Sequence, residues 1–362
     1  KQKHGKTGIF SEVTEMGRTR VKIRRRIWIL AAILLLLSAC GKKTAGPMFA
    51  QTQVPADLVI CTDQEPLVYE PVVKEFEERT GLSVEVKAGT SENVRQMFEQ
   101  AKDWDLALGV STELLDEYAA LWMPYESAQE AAVAETFRSV DHSWSAFSVL
   151  PLVIMYNTNV VTYWELPVGW ASLLEPRWKG RVAFADPKKS DISLTALAAA
   201  ALVSPEKEQY VQELAGNLDH NLLENIAQVK EEILDGRCSV GVTTEETAQA
   251  LRSSGADVDY IYPEEGTLLV LEGTAIRRGA VHEETAKQFL EFTLSKDVQK
   301  ILMDSQSRRS VRQDVETPKG MDALERLPLP DADFETISME KRKILESWKS
   351  ISDAEAGMGG AS

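Results

Sequence analysis

The chain has 362 residues, 44% hydrophobic and 27% charged, which is enough for a sizeable core and for two domains. Its formal net charge is −16, and residues 1–39 carry nine Lys/Arg against two Asp/Glu, which leaves −23 for the remainder. A body that acidic repels nucleic acid and anionic lipid headgroups, so neither is expected as a partner.

The first forty residues read as an export signal. Lys22, Arg24, Arg25 and Arg26 form a basic stretch, followed by an apolar run from Ile27 to Leu37 that is too short to span a bilayer comfortably. The run ends at Leu37-Ser38-Ala39-Cys40-Gly41, which resembles a bacterial lipobox, the signal in which a Cys is acylated and the peptide is cut before it. On this reading residues 1–39 are a signal peptide, Cys40 is the lipidated first residue, and 40–56 form a polar, Gly/Pro-containing tether. Two or three acyl chains make such an anchor stable. The alternative is an uncleaved membrane anchor in which Cys40 is incidental. Either way the body is expected outside the cytoplasm and attached to a bacterial membrane.

Cys61 and Cys238 are the other cysteines. An oxidising compartment permits a bridge between them, but a bridge between two lobes would lock a hinge, and two buried strand cysteines are the expectation. There is no CxxC, and four scattered histidines give no zinc spacing, so no metal or cofactor is expected.

From residue 57 a regular alternation begins. Asp57 to Cys61 reads as a buried strand, and Tyr69, Val72, Val73 and Phe76 recur on one helical face that Gly81 ends. A strand over 82–87, a helix carrying Val94, Met97, Phe98 and Ala101, a strand over 104–108 and a helix through Leu115 to Trp122 follow. Three strand–helix units predict a parallel sheet covered by helices, with ligands at the carboxyl ends of the strands. Phe147 to Asn157 is a long apolar stretch containing Pro151, which reads as a strand passing from one sheet into another. A second α/β unit follows over 181–262, and Thr267 to Ile276 is a second apolar crossing. Helices are expected at about 283–294 and 296–304, and a frayed tail over 355–362.

The segment from Trp178 to Pro187, Trp-Lys-Gly-Arg-Val-Ala-Phe-Ala-Asp-Pro, is similar to the "WKGKIAIADP" segment of ferric-iron-type periplasmic binding proteins, family 1 extracellular solute-binding proteins of ABC transporters. Further matches are Val153–Thr158, Trp170–Leu174, Tyr262–Thr267 and Ser307–Val315, in the family's order over roughly 57–315. The resemblance implies an α/β clamshell of the type with two hinge strands, each lobe a sheet flanked by helices. Lobe I would comprise 57–148 and 268–350, and lobe II 152–265. It also implies capture of a small solute between the lobes and delivery to permease and ATPase subunits by a protein expected to be monomeric. A lipid-tethered sensor subunit and an exported enzyme are the rival readings. No Gly-rich phosphate loop, GxSxG or HExxH supports an enzyme.

The candidate ligand-binding residues lie at the strand ends: Asp63 and Gln64, Thr90 and Ser91, Ser111 and Thr112, Thr243 and Thr244, with Ser190, Ser193 and Thr195 after the Trp178–Pro187 segment. Hydroxyls at helix starts suit an oxyanion, although each also serves as an ordinary cap. Asp63, Glu65 and Glu92 are either cation ligands or helix-start acids. Iron-binding members place adjacent tyrosines after the "ADP" strand, because phenolate suits Fe³⁺. Here 188–195 contains none, and Tyr156 alone remains as a candidate. A small organophosphate- or phosphonate-like oxyanion is therefore favoured, with ferric iron as the alternative. Arg308, Arg309 and Arg312 read as packing and salt-bridge residues.

Overall fold

The computed structural model describes residues 55–359 except 220, 318–319 and 331–333. The proposed signal peptide, Cys40 and the tether up to residue 54 lie outside the described residues, as do 360–362.

The first units form as the periodicity predicts: β1 (Leu58–Thr62), α1 (Pro66–Thr80), β2 (Val84–Ala88), α2 (Ser91–Gln100), β3 (Leu106–Ser111) and α3 (Thr112–Glu117). In α1, Pro66 occupies the first turn, where its missing N–H is no loss. Val68, Val72, Val73 and Phe76 fill the buried stripe, and Gly81 closes the helix in the left-handed region at φ 74°. Helix α3 is shorter than expected. It stops at Glu117, and a single tight turn carries Trp122 into an aromatic cluster with Phe98 and Trp104, at 4.9 and 5.9 Å between ring centroids.

The chain then runs through β4 (Ser145–Asn157), β5 (Val182–Ala185), α4 (Asp191–Val203), α5 (Lys207–Leu218), β6 (Leu222–Leu223) and α6 (Ile226–Leu234). After these come β7 (Val240–Thr244), α7 (Glu245–Ser253), β8 (Val258–Ile261), β9 (Leu269–Ile276), α8 (Glu283–Thr293), α9 (Lys296–Gln306) and α10 (Phe334–Gly359). The strand order is β2-β1-β3-β9-β4-β7-β5-β6, with β8 also on β4. Strands β1, β2 and β3 are mutually parallel, as are β5, β6 and β7, whereas β4 and β9 run antiparallel to their neighbours.

Strand β4 changes partners at its proline. Ser145 to Pro151 pair with β9, and from Leu152 onward the partner is β7, beginning at Thr244. Pro151 cannot donate to a ladder, so it sits where one ladder ends and the next begins. Each half of the sheet has apolar clusters of its own. One groups Leu58, Ile60, Leu106 and Phe147 with α1, α8 and α9, and another groups Leu152, Ile154, Val182 and Val242 with α4 and α5.

Helix α10 corrects the expected division of the chain. It packs on α4 and α5, and its Ile344 and Trp348 join the cluster that contains Leu197 and Tyr210. The apolar face of this helix therefore packs on the 152–265 segment, while its Lys341 reaches Glu113 of α3 at 2.7 Å. The helix also continues to Gly359, through positions read from sequence as a frayed tail. Cys61 and Cys238 are buried and free, which agrees with the expectation of unbridged cysteines, although Cys238 lies just before β7 and not in it. Among the described residues no helix is long and apolar enough to cross a membrane.

Candidate functional site

The carboxyl ends of β1 and β3 from one half of the sheet meet the start of α4 from the other. Ser111, the last residue of β3, caps α3 by accepting from the Leu114 N–H at 3.3 Å, and its hydroxyl donates to Asp191 Oδ2 at 3.1 Å. Asp191 is the first residue of α4, whose cap is Ser190, accepting from the Ser193 N–H at 3.2 Å. This hydrogen bond between Ser111 and Asp191 links the two halves where these elements meet.

Asp63 follows β1 at the same junction. Its Oδ2 accepts from the Ser91 hydroxyl at 2.7 Å, while Oδ1 is buried with no hydrogen-bond partner. Burial pushes this carboxyl up to about 6, and the charges of Glu272 and Asp191 push the same way against the Ser91 hydrogen bond. Glu272 is buried in β9 and fully used: it accepts from Gln64 Nε2 at 2.9 Å, from the Ser148 hydroxyl and from Arg308. Arg308 also donates to Ser148 Oγ and Gln64 Oε1, both at 2.9 Å, and stands 3.7 Å from Glu246 on α7. Its burial works against the charge, and Glu272 and Glu246 more than offset that.

Gln64 is placed by backbone geometry. Gly109 has φ +63° beside a bulge in β3, and a Cβ there would lie 2.9 Å from Gln64 Cγ, so only glycine lets the Gln64 amide reach the Gly109 carbonyl.

The remaining sequence-derived candidates divide clearly. Ser193 and Thr243 are buried with hydroxyls that have no partner. Thr244 is buried at the start of α7, its hydroxyl donating to Glu246 Oε2 at 2.7 Å, and Thr112 is buried in the first turn of α3. Thr195 is internal to α4, donating to the Asp191 carbonyl at 2.7 Å, so its hydroxyl is not open to a ligand. Thr90 is exposed and occupied in a reciprocal cap with Asn93. Tyr156 does not lie at this junction. It pairs with Val240 and Asp259, four residues past the Leu152–Thr244 pair, about 13 Å along the strand, and its ring is in the core.

Three contributors were not assigned to the site from sequence: Asp191, Glu272 and Arg308. A carboxylate inside Leu269–Ile276, otherwise apolar apart from Thr274, needs a buried partner, and that signal pointed to Glu272. A groove of about 640 Å³ between α1 and β2, lined by Leu67, Tyr69 and Val86 among others, lies on the outer edge of the sheet and shares none of these residues.

Two α/β halves joined by crossing strands give the two-lobe clamshell fold of periplasmic binding proteins. Residues 110–338 match the bacterial extracellular solute-binding protein family, and the chain belongs to that family. An uncharacterized protein of Haemophilus influenzae is 28% identical over 238 residues, 62% of this chain and 68% of its own. Iron uptake protein A1 of Synechocystis sp. is 24% identical over 292 residues, 74% of this chain and 79% of its own. The periplasmic binding protein AfuA of Actinobacillus pleuropneumoniae, solved with fructose-6-phosphate bound, superposes with a TM-score of 0.72 at 23% identity, covering 80% of this chain and 97% of that one. The family consists of extracytoplasmic binding proteins that take up small solutes and work with the permease and ATPase components of ABC importers.

Proposed function

We propose that this protein captures a small organophosphate- or phosphonate-like oxyanion in a cleft at the Ser111–Asp191 junction and delivers it to an importer's permease without transforming it. One observation carries this reading: the Ser193 hydroxyl is buried without a partner in the first turn of α4, two residues from Asp191. A buried polar group left unpaired costs about 1–3 kcal/mol, and a ligand oxygen accepting from this hydroxyl removes that cost. The first turn of α4 adds backbone N–H groups beside it. Closure of the two lobes on the solute is the event a permease reads. Cys40 would hold the monomeric protein at the membrane, on the strength of the Leu37–Gly41 segment.

Ferric iron is the second reading, favoured by the likeness to iron uptake protein A1 of Synechocystis sp.. The donor set supports it less. Among the described residues no group of three or more His, Cys, Asp or Glu is placed to hold a metal ion, and Tyr156 is in the core. Thermal-shift screening with phosphorylated sugars, alkylphosphonates and ferric citrate separates the two. A ligand at 100 times its Kd stabilises the protein by about 2.7 kcal/mol. Stabilisation by ferric citrate alone would refute the oxyanion reading.

A further inference from the structure

We propose that Lys341 of α10 and Glu113 of α3 form a clasp between the two halves, a positioning pair that sets how long a solute is held by acting on lobe closure and not by touching the solute. The proposal rests on the two-lobe capture reading above and is independent of what the solute is.

Helix α10 goes with the second half by its packing. Ile344 and Trp348 lie in the apolar cluster of Leu197 and Tyr210, and Glu340 pairs with Lys207 at the start of α5. Trp348 and Ser352 bond Asp186 and Lys188, in the loop that leads into α4. Helix α3 goes with the first half, where Leu114 and Leu115 pack with Val94, Phe98 and Trp104. Lys341 crosses from one to the other: its Nζ donates to Glu113 Oε1 at 2.7 Å, with the lysine side chain 6% exposed and the glutamate 31%. A lysine so buried needs a partner, and here the partner stands on the opposite half. The Ser111–Asp191 hydrogen bond lies two residues before Glu113, so both contacts land on residues 111–113 and part together when the halves move apart. Lys341 itself lies beyond residue 338, where the family match ends.

The pair is arranged to hold and to let go. One carboxylate oxygen meets the ammonium, while Glu113 Oε2 is buried without a partner and Lys341 has no second acceptor among the described residues. Desolvation of the two charges therefore offsets much of their attraction, and the net bias toward closure is small. Removing one charge is a different matter. The survivor is then buried alone whenever the lobes close, and opening returns it to water. Single substitutions thus open the protein, whereas exchanging the two charges keeps the attraction. An equilibrium near balance suits a carrier that must both retain and release its cargo, because binding then shifts it with little differential affinity.

Small-angle scattering of the full chain without added solute tests this, on the wild type, Lys341→Glu, Glu113→Lys and the two substitutions combined. Each single reversal should shift the open-to-closed ratio by about tenfold, read as a larger radius of gyration. The combined variant should return to the wild-type curve, a rescue that loss of helix packing cannot produce. Circular dichroism checks that α10 stays folded. Should a reversal unfold it, Glu113→Gln leaves α10 unaltered and is expected to expand the protein on its own; an unchanged curve for that variant overturns the clasp. Four superimposable curves also overturn it, as does expansion in the single variants that the exchange fails to reverse. None of these results touches the oxyanion reading, which the thermal-shift screen decides, and failure of that screen leaves the clasp standing.

Discussion

Arg309 and Glu245 form a two-point ion pair, Nε to Oε2 at 2.6 Å and Nη2 to Oε1 at 2.8 Å, with the arginine 4% exposed and the glutamate 0%. Arg309 lies against Val149 of β4, where the chain is about to cross between sheet halves, and Glu245 opens α7 in the second half. Tyr262 donates to the same carboxylate. The pair ties the crossing to the second lobe.

Breaking it from one side leaves a buried charge unpaired. Arg309→Ala is expected to lower stability by about 3–5 kcal/mol, because the desolvation of Glu245 is no longer offset. Replacing both partners together, as Arg309→Met with Glu245→Leu, should recover most of that loss. Urea unfolding of the single and double variants measures it, and a single-variant loss below about 1 kcal/mol would contradict the description of the pair as buried and essential.

The Asp63 carboxyl makes a second prediction, on pH. Its value in the fold is about 6 against 3.8 for the free side chain, so the folded state holds a proton that the unfolded chain releases. Stability from this group is complete below about pH 4 and declines as pH rises through about 6. Asp63→Asn removes the decline. The melting temperature of the ligand-free variant, compared with wild type, should gain steadily between pH 4 and pH 7. Parallel curves would show that Asp63 is not held in this way.

Gly109→Ala tests the placement of Gln64. The positive φ alone costs a residue with a Cβ about 1–2 kcal/mol, and the 2.9 Å approach to Gln64 adds to it. With Gln64 displaced, Arg308 and Glu272 each lose a hydrogen bond, so ligand affinity should fall more than the stability loss implies. Calorimetry of binding beside thermal melting distinguishes the two effects, and unchanged affinity would mean that Gln64 has no part in shaping the cleft.

Trp348 anchors α10. It is 2% exposed and donates from Nε1 to Asp186 Oδ1 at 3.2 Å, directly beside the loop that leads into α4. Trp348→Ala should cost about 3–5 kcal/mol, and Trp348→Phe much less, since most of the packing survives. Chemical denaturation reads both. Equal losses would place the energy in the hydrogen bond and not in the ring.

Much of the architecture was legible because it follows from periodicity. The helical spacing of Val72, Val73 and Phe76 and the proline inside an apolar run each have one physical reading. Helix α10 was not legible, since Ile344 and Trp348 are four apart in a charged stretch and nothing local says which body they cover. The site was half legible. Strand ends announce hydroxyls such as Ser111 and Ser193, but whether a hydroxyl is spent, as in Thr195, or open, as in Ser193, depends on partners remote in sequence. Asp191 illustrates the same limit, because its hydrogen bond to Ser111 spans eighty positions.

The strand order has a consequence for how the protein is made. Strand β9 lies between β3 and β4, yet β3 ends at Ser111 and β9 begins only at Leu269. A chain emerging from the ribosome therefore completes β1, β2 and β3 with one edge of β3 unpaired, and the strand that covers that edge arrives after the whole second lobe sheet. Pairings so distant along the chain close slowly. Until β9 is available the first lobe cannot complete its sheet, so the contacts around Glu272 form only after the second half's strands have been made.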